Sequence, residues 1–209
     1  YYISAETSAQ ALASPHLEGF KSKNIPVLIM TDAIDQFWLP MVGSFKEKKF
    51  TSITQGKINL DELDSKNKDK KNKSNDDKDK QDKEYVDLIA QLKVVLGDQV
   101  KDIRLSSKLT DSPVCLVADE GDMDIAMEQL MAQRDSNYKG APRILEINGD
   151  HSLIKNMKSL LSKKESNDLV SDAGTLLFEQ ARLMEGKMPA DPAQFSKIMN
   201  QFLLKAIPN

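Results

Sequence analysis

The 209-residue sequence predicts a mixed α/β (α+β) chain: a small α/β unit with parallel strands, then an α+β domain with a small antiparallel three-stranded sheet and C-terminal helices. Three observations carry this reading. Residues 1–56 alternate strand-like and helix-like segments; residues 57–84 form a charged linker or a frayed helix entry; and residues 85–209 alternate helical periodicity with short apolar runs.

In chain order, YYIS opens as a strand, and a helical stretch through ALASPHLEGF is broken near Pro15. IPVLIMTD then reads as a buried strand. AIDQFWLPMVGSF has a helical pattern that Pro40 is expected to kink or end, and KKFTSIT is β-like. Residues 61–84 hold nine acidic and eight basic residues and one apolar residue, Leu63, too little apolar surface to offset the entropy of ordering. A solvated spacer fits best.

YVDLIAQLKVVLG predicts a helix with Val86, Ile89, Leu92, Val95 and Leu96 on its apolar face and Gly97 as its stop. VKDIRLSS and PVCLVADE, around the turn-rich KLTDS, read as an antiparallel strand pair. In GDMDIAMEQLMAQ, spacings of four put Met123, Met127 and Met131, with Leu130, on one helical face, and Asp124, Glu128 and Gln129 opposite. That stripe is either an ordinary core face or a flexible apolar surface suited to varied partners. RILEIN is a strand, Asp150 is placed to cap the next helix, and helices are predicted over SLIKNMKSLLSK, Asn167 to Met184 and Pro192 to Ile207.

The last two helices carry more apolar residues than one neighbour covers. Leu169, Ala173, Leu176 and Leu177 on the first, and Phe195, Ile198, Met199, Phe202 and Leu203 on the second, predict a self-complementary homodimer with a four-helix interface.

Catalytic patterns are missing from the sequence. There is no Walker loop, no GxGxxG and no metal-ligand spacing, so no catalytic, cofactor-binding or metal-binding residue is assigned. Cys115, in PVCLV, reads as a small buried strand residue, and His16 and His151 as helix-entry caps or surface packing. A net charge of −3 gives no electrostatic footprint for nucleic acid or an anionic membrane, and no apolar run approaches the roughly 20 residues of a membrane span. A soluble, cytoplasmic chain is expected. The strand-like opening without an initiator methionine reads as the start of a fragment of a longer protein.

YYISAETSAQALASPHLEGFKSKNIPVLIMTDAIDQFWL resembles the end of the middle domain of the 90-kDa heat-shock chaperone family. VKDIRLSSKLTDSPVCLV and RILEINGDHSLIK are similar to that family's C-terminal dimerisation domain. The resemblance spans nearly the whole chain apart from the charged spacer, and the ending FLLKAIPN, without an acidic tail, points to the bacterial branch. It implies a homodimeric, ATP-driven chaperone of the stress response whose ATP and Mg site lies upstream of Tyr1. This chain would then hold no cofactor and hydrolyse no ATP. Its implied partners are itself, unfolded or partly folded client proteins and other chaperones. By the same resemblance Met123, Met127, Leu130 and Met131 would be exposed to clients. A second client contact, an aromatic after an acidic residue, falls where this sequence has Gln36 followed by Phe37 and Trp38, leaving both aromatics as candidates. The competing reading is a purely structural dimerisation module that touches no client.

Overall fold

A computed structural model describes residues 1–60, 83–135, 138, 140–162 and 167–207; most of the predicted spacer, residues 61–82, lies outside the described residues. In the first unit, β1 (Tyr2–Ser4) and β2 (Leu28–Met30) pair in parallel, Tyr2 opposite Leu28. Between them run α1 (Ser8–Leu12), a 3-10 turn at Pro15–Leu17 and α2 (Glu18–Ser22). The break at Pro15 is as the sequence predicts, since Pro has no N–H for a continuing helix and suits a helical first turn. Ile3, Ala11, Leu17, Phe20, Ile53 and Leu60 form the core.

α3 (Asp35–Val42) runs through Pro40 and ends two residues later at Val42, closed by Gly43 with its φ of 63°. KKFTSIT is less regular than predicted. Lys48–Lys49 (β4) forms a hairpin with Ser44–Phe45 (β3), and Lys46 and Glu47 take the positive φ of its tight turn. Beyond it only single bridges form, Ser52 to Tyr2 and Gln55 to Ala118.

The second unit opens with α4 (Val86–Leu96). Its buried face is Tyr85, Leu88, Leu92 and Leu96, so the predicted face is turned by part of a revolution: Val86 is exposed, and Ile89 and Val95 are only half-buried. Residues 88, 92 and 96 step by four and face a helix that offers Gly174, where an added Cβ would strike the Leu92 side chain.

β5 (Val100–Leu105), β6 (Val114–Val117) and β7 (Arg143–Ile147) make the predicted three-stranded sheet, but it is mixed. β7 lies in the middle, parallel to β5 and antiparallel to β6, so the expected β5–β6 hairpin does not form. The physical reason is burial. All five β7 residues are buried and need ladder partners on both edges, while the segment joining β5 to β6 is anchored to the first unit instead of forming a turn.

α5 (Ile125–Arg134) is capped by Asp124, whose carboxylate accepts from the Ala126 N–H. α6 (Ser152–Ser162), α7 (Asn167–Met184) and α8 (Pro192–Ala206) follow as predicted. The residue that caps α6 is different, however. The Leu153 N–H donates to His151 Nδ1 at 3.1 Å, while Asp150 pairs with Lys155 at 3.2 Å. The core of this unit joins α4, the sheet and α7 through Leu92, Ile103, Leu145, Ile147, Val170 and Phe178.

Candidate binding surfaces

On α5 the inward positions belong to Ile125 and Glu128, both buried. Glu128 was expected on the solvated face; instead its carboxylate meets Arg143 at 2.6 Å, the two side chains being 5% and 3% exposed, with Lys187 3.5 Å away. A buried carboxylate is tolerable because cations surround it. With the inward face so occupied, the methionine stripe turns outward: Met123 and Met131 are each 39% exposed, and Met127 and Leu130 are half-buried. Met123 stands just before the helix, where its carbonyl accepts from Arg143 Nη1.

Met123 and Met127 face α3 across a groove of about 710 Å³, whose other wall includes Gln36, Leu39 and Pro40. Leu130 and Met131 are not part of that lining, and neither are Phe37 and Trp38. The two aromatics differ. Trp38 donates its indole N–H to Asp35 at 2.7 Å and packs edge-on to Phe50 with ring centres 5.9 Å apart. Phe37 is exposed on a stripe with Ile34 and Met41.

The groove is held in place by residues the sequence reading passed over. Asp124 Oδ2 accepts from the hydroxyls of Ser52 at 2.5 Å and Thr54 at 2.9 Å, and Gln55 donates to the Asp122 carbonyl at 2.6 Å. Glu18, of the SPHLE turn, accepts from the backbone N–H groups of Thr110, Asp111 and Ser112 and from the Ser112 hydroxyl. Lys108 is buried, donating to the Ile53 carbonyl at 3.0 Å and lying 3.6 Å from Glu146. Arg104 joins Glu146 to the Gly56 carbonyl. The sequence signals for these anchors are Asp124 at the start of the methionine helix and Glu18 at a helix entry; nothing in the pattern distinguishes Lys108 from a surface lysine.

Burial pushes the Glu18 carboxyl up, but the Ser112 hydroxyl and the three amides outweigh it and hold its pKa below the ordinary 4.5. A depressed carboxylate contributes stability that is present above the unfolded value and lost as pH falls through the folded one. The stability gap between the parent chain and Glu18→Gln is therefore expected to be constant near neutrality and to shrink on acidification below about 4.5, readable by urea unfolding at several pH values.

His16, expected as a cap or at the surface, is buried; Ser14 caps the 3-10 turn instead. Burial, with Lys108 nearby, lowers its pKa well below 6.5 and keeps it neutral. Cys115 is buried in β6 as expected, and burial pushes its thiol up, away from the reactive thiolate.

On the last two helices Ala173, Leu177 and Ile198 pack into the chain's own interior. Leu169, Leu176, Phe195 and Phe202 are half-buried. Met199 and Leu203 are exposed, and Ile207, one further step of four, continues their line. Among the described residues no three His, Cys, Asp or Glu side chains converge as a metal site, and no helix is long and apolar enough to cross a membrane.

The fold is thus a mixed α/β chain with apolar helical faces left partly open. The family model described as "Hsp90 protein" matches residues 1–208, and the chain belongs to that family. Among its relatives, the "Chaperone protein HtpG" of Roseobacter denitrificans is 40% identical over 209 residues, covering 99% of this chain and 33% of that protein. HtpG of Paramagnetospirillum magneticum is 38% identical over 207 residues, covering 99% and 33%, and HtpG of Streptomyces coelicolor is 35% identical over 199 residues, covering 95% and 30%. The chain thus spans about a third of the length of the relatives it matches.

Proposed function

We propose that this chain is the dimerisation and client-binding portion of an ATP-dependent molecular chaperone of the bacterial cytoplasm, similar to HtpG, that assists unfolded or stress-damaged proteins. The observation that carries the reading is the outward methionine face of α5. Because the Glu128–Arg143 pair occupies the inward side, Met123, Met127 and Met131 keep apolar surface free, and flexible thioethers adapt to many partly folded chains. Phe37 supplies a second exposed apolar contact. Self-association uses the remaining surface of α7 and α8, chiefly Met199, Leu203 and Phe202. It raises the effective concentration of two upstream arms, so that their closure becomes intramolecular. By the family resemblance, ATP and Mg belong to those arms.

Changing Met127 and Met131 together to glutamine is expected to weaken binding of an unfolded client about tenfold at high salt, where ionic contacts are screened, while leaving the unfolding midpoint unchanged. Unaltered client binding by that variant would reduce the chain to a dimerising module, the competing reading.

A further inference from the structure

A cavity of about 130 Å³ lies between the first unit and β6, walled by Ile3, Ala11, Val114 and Cys115. Of the polar residues that line the same cavity, Gln10, Ser14, Thr54 and Gln129 have hydrogen-bond partners, whereas Ser4, His16 and Glu185 carry unpartnered atoms. Ser4 Oγ, His16 Nδ1 and Glu185 Oε1 are buried without a hydrogen-bond partner, and Glu185 Oε2 has Lys187 Nζ at 3.3 Å. An unmet buried polar group costs about 1–3 kcal/mol, so three groups of this kind around one space mark a site built for an occupant. The cavity is also far above the about 10–15 Å³ that a single water needs.

The orphaned groups fix the chemistry of that occupant. His16 is neutral and donates to the backbone of Leu116, which leaves Nδ1 as a lone-pair acceptor. The Glu185 side chain is 7% exposed and keeps only a 3.3 Å ion pair with Lys187. Burial pushes its carboxyl up, against the opposing pull of Lys187 and Arg143, so an additional cation would be welcome there. The Ser4 hydroxyl can accept or donate. Apolar walls with a few convergent acceptors are the usual form of a small-ligand pocket.

We propose that this cavity binds a small organic cation rich in N–H donors, of the guanidinium or primary ammonium class, held by Glu185, His16 Nδ1 and Ser4. Ser4 and His16 belong to the first unit and Glu185 follows α7, so an occupant bridges the two halves of the chain.

The test uses the full 209-residue chain labelled with ¹³C-histidine, in which the two histidines give separate ring signals. Titration with methylguanidinium is expected to shift the His16 signal saturably and leave His151 in place. Tetramethylammonium, a cation with no N–H, is expected to move neither. Ser4→Ala and Glu185→Gln should each weaken methylguanidinium binding about tenfold. Should Glu185→Gln fail to fold, Ser4→Ala decides alone. A non-saturating shift, an equal response to tetramethylammonium, undiminished affinity in the folded variants, or a crystal soaked in methylguanidinium that shows only water in the cavity would overturn the proposal.

Discussion

Replacing Glu146 by leucine is expected to destabilise the chain by about 3–5 kcal/mol, because it leaves the buried Lys108 and the partly buried Arg104 without their counter-charge. Glu146 lies in β7, the central strand. Its Oε1 takes two hydrogen bonds from Arg104, at 3.0 and 2.8 Å, and its Oε2 takes one from Ser106 at 2.9 Å, with Lys108 Nζ 3.6 Å from that second oxygen. Lys108 is 1% exposed, and without the carboxylate it keeps only the Ile53 carbonyl, which offsets little of the cost of a buried ammonium. The loss should be strongly non-additive. Lys108→Met in the Glu146→Leu background removes the stranded charge and should restore part of the stability, whereas independent contributions would make the double variant worse than either single one. Urea unfolding of the two single variants and the double variant gives the coupling directly; simple additivity would refute the ion-network account.

Gly140→Ala is the second large effect, also expected at about 3–5 kcal/mol. Gly140 has φ of +68°, a left-handed conformation that side chains disfavour, and a Cβ there would run into Glu128 Oε1. The carboxylate is a poor candidate for yielding, because it is held against Arg143 and Lys187 and receives the Ala141 N–H at 3.4 Å. If it swings aside, Arg143 is left buried and unpaired. The backbone strain and the broken pair can be separated. In a chain already carrying Glu128→Met and Arg143→Met, the same Gly140→Ala change should cost only the conformational part, about 1 kcal/mol. An equal penalty in both backgrounds would place the whole effect in the backbone. The same pair fixes the rotation of α5, so Gly140→Ala should also bury or disorder part of the methionine face and, under the proposed function, weaken client binding.

Much of the fold was readable because its local rules do not conflict. Proline at position 15, glycine at 97 and the three-and-four steps through α7 and α8 place boundaries by backbone chemistry and periodicity alone. The candidate surfaces were readable to the extent that apolar side chains repeated along one helix. The sequence could not say which neighbour a helix would meet. The α4 face was placed on Val86, though Leu88 is the buried residue, because both lie on plausible stripes and only the packing against Gly174 selects one. Glu128 was assigned to solvent for a related reason. A glutamate is almost always exposed unless paired, and its partners, Arg143 and Lys187, lie 15 and 59 residues away along the chain.

What the sequence determined by itself, then, was the type and order of most of the elements, and membership of a chaperone family through segments that run nearly end to end. These are properties of neighbouring residues, set by dihedral preference, capping and burial period. Tertiary structure alone decided that β7 enters between β5 and β6, that Phe37 is free while Trp38 is engaged by Asp35 and Phe50, and that His16 and Glu185 meet at one cavity. The physical reason is that strand order, buried ion pairing and cavity formation depend on groups far apart in the chain, whose desolvation is settled only when they come together.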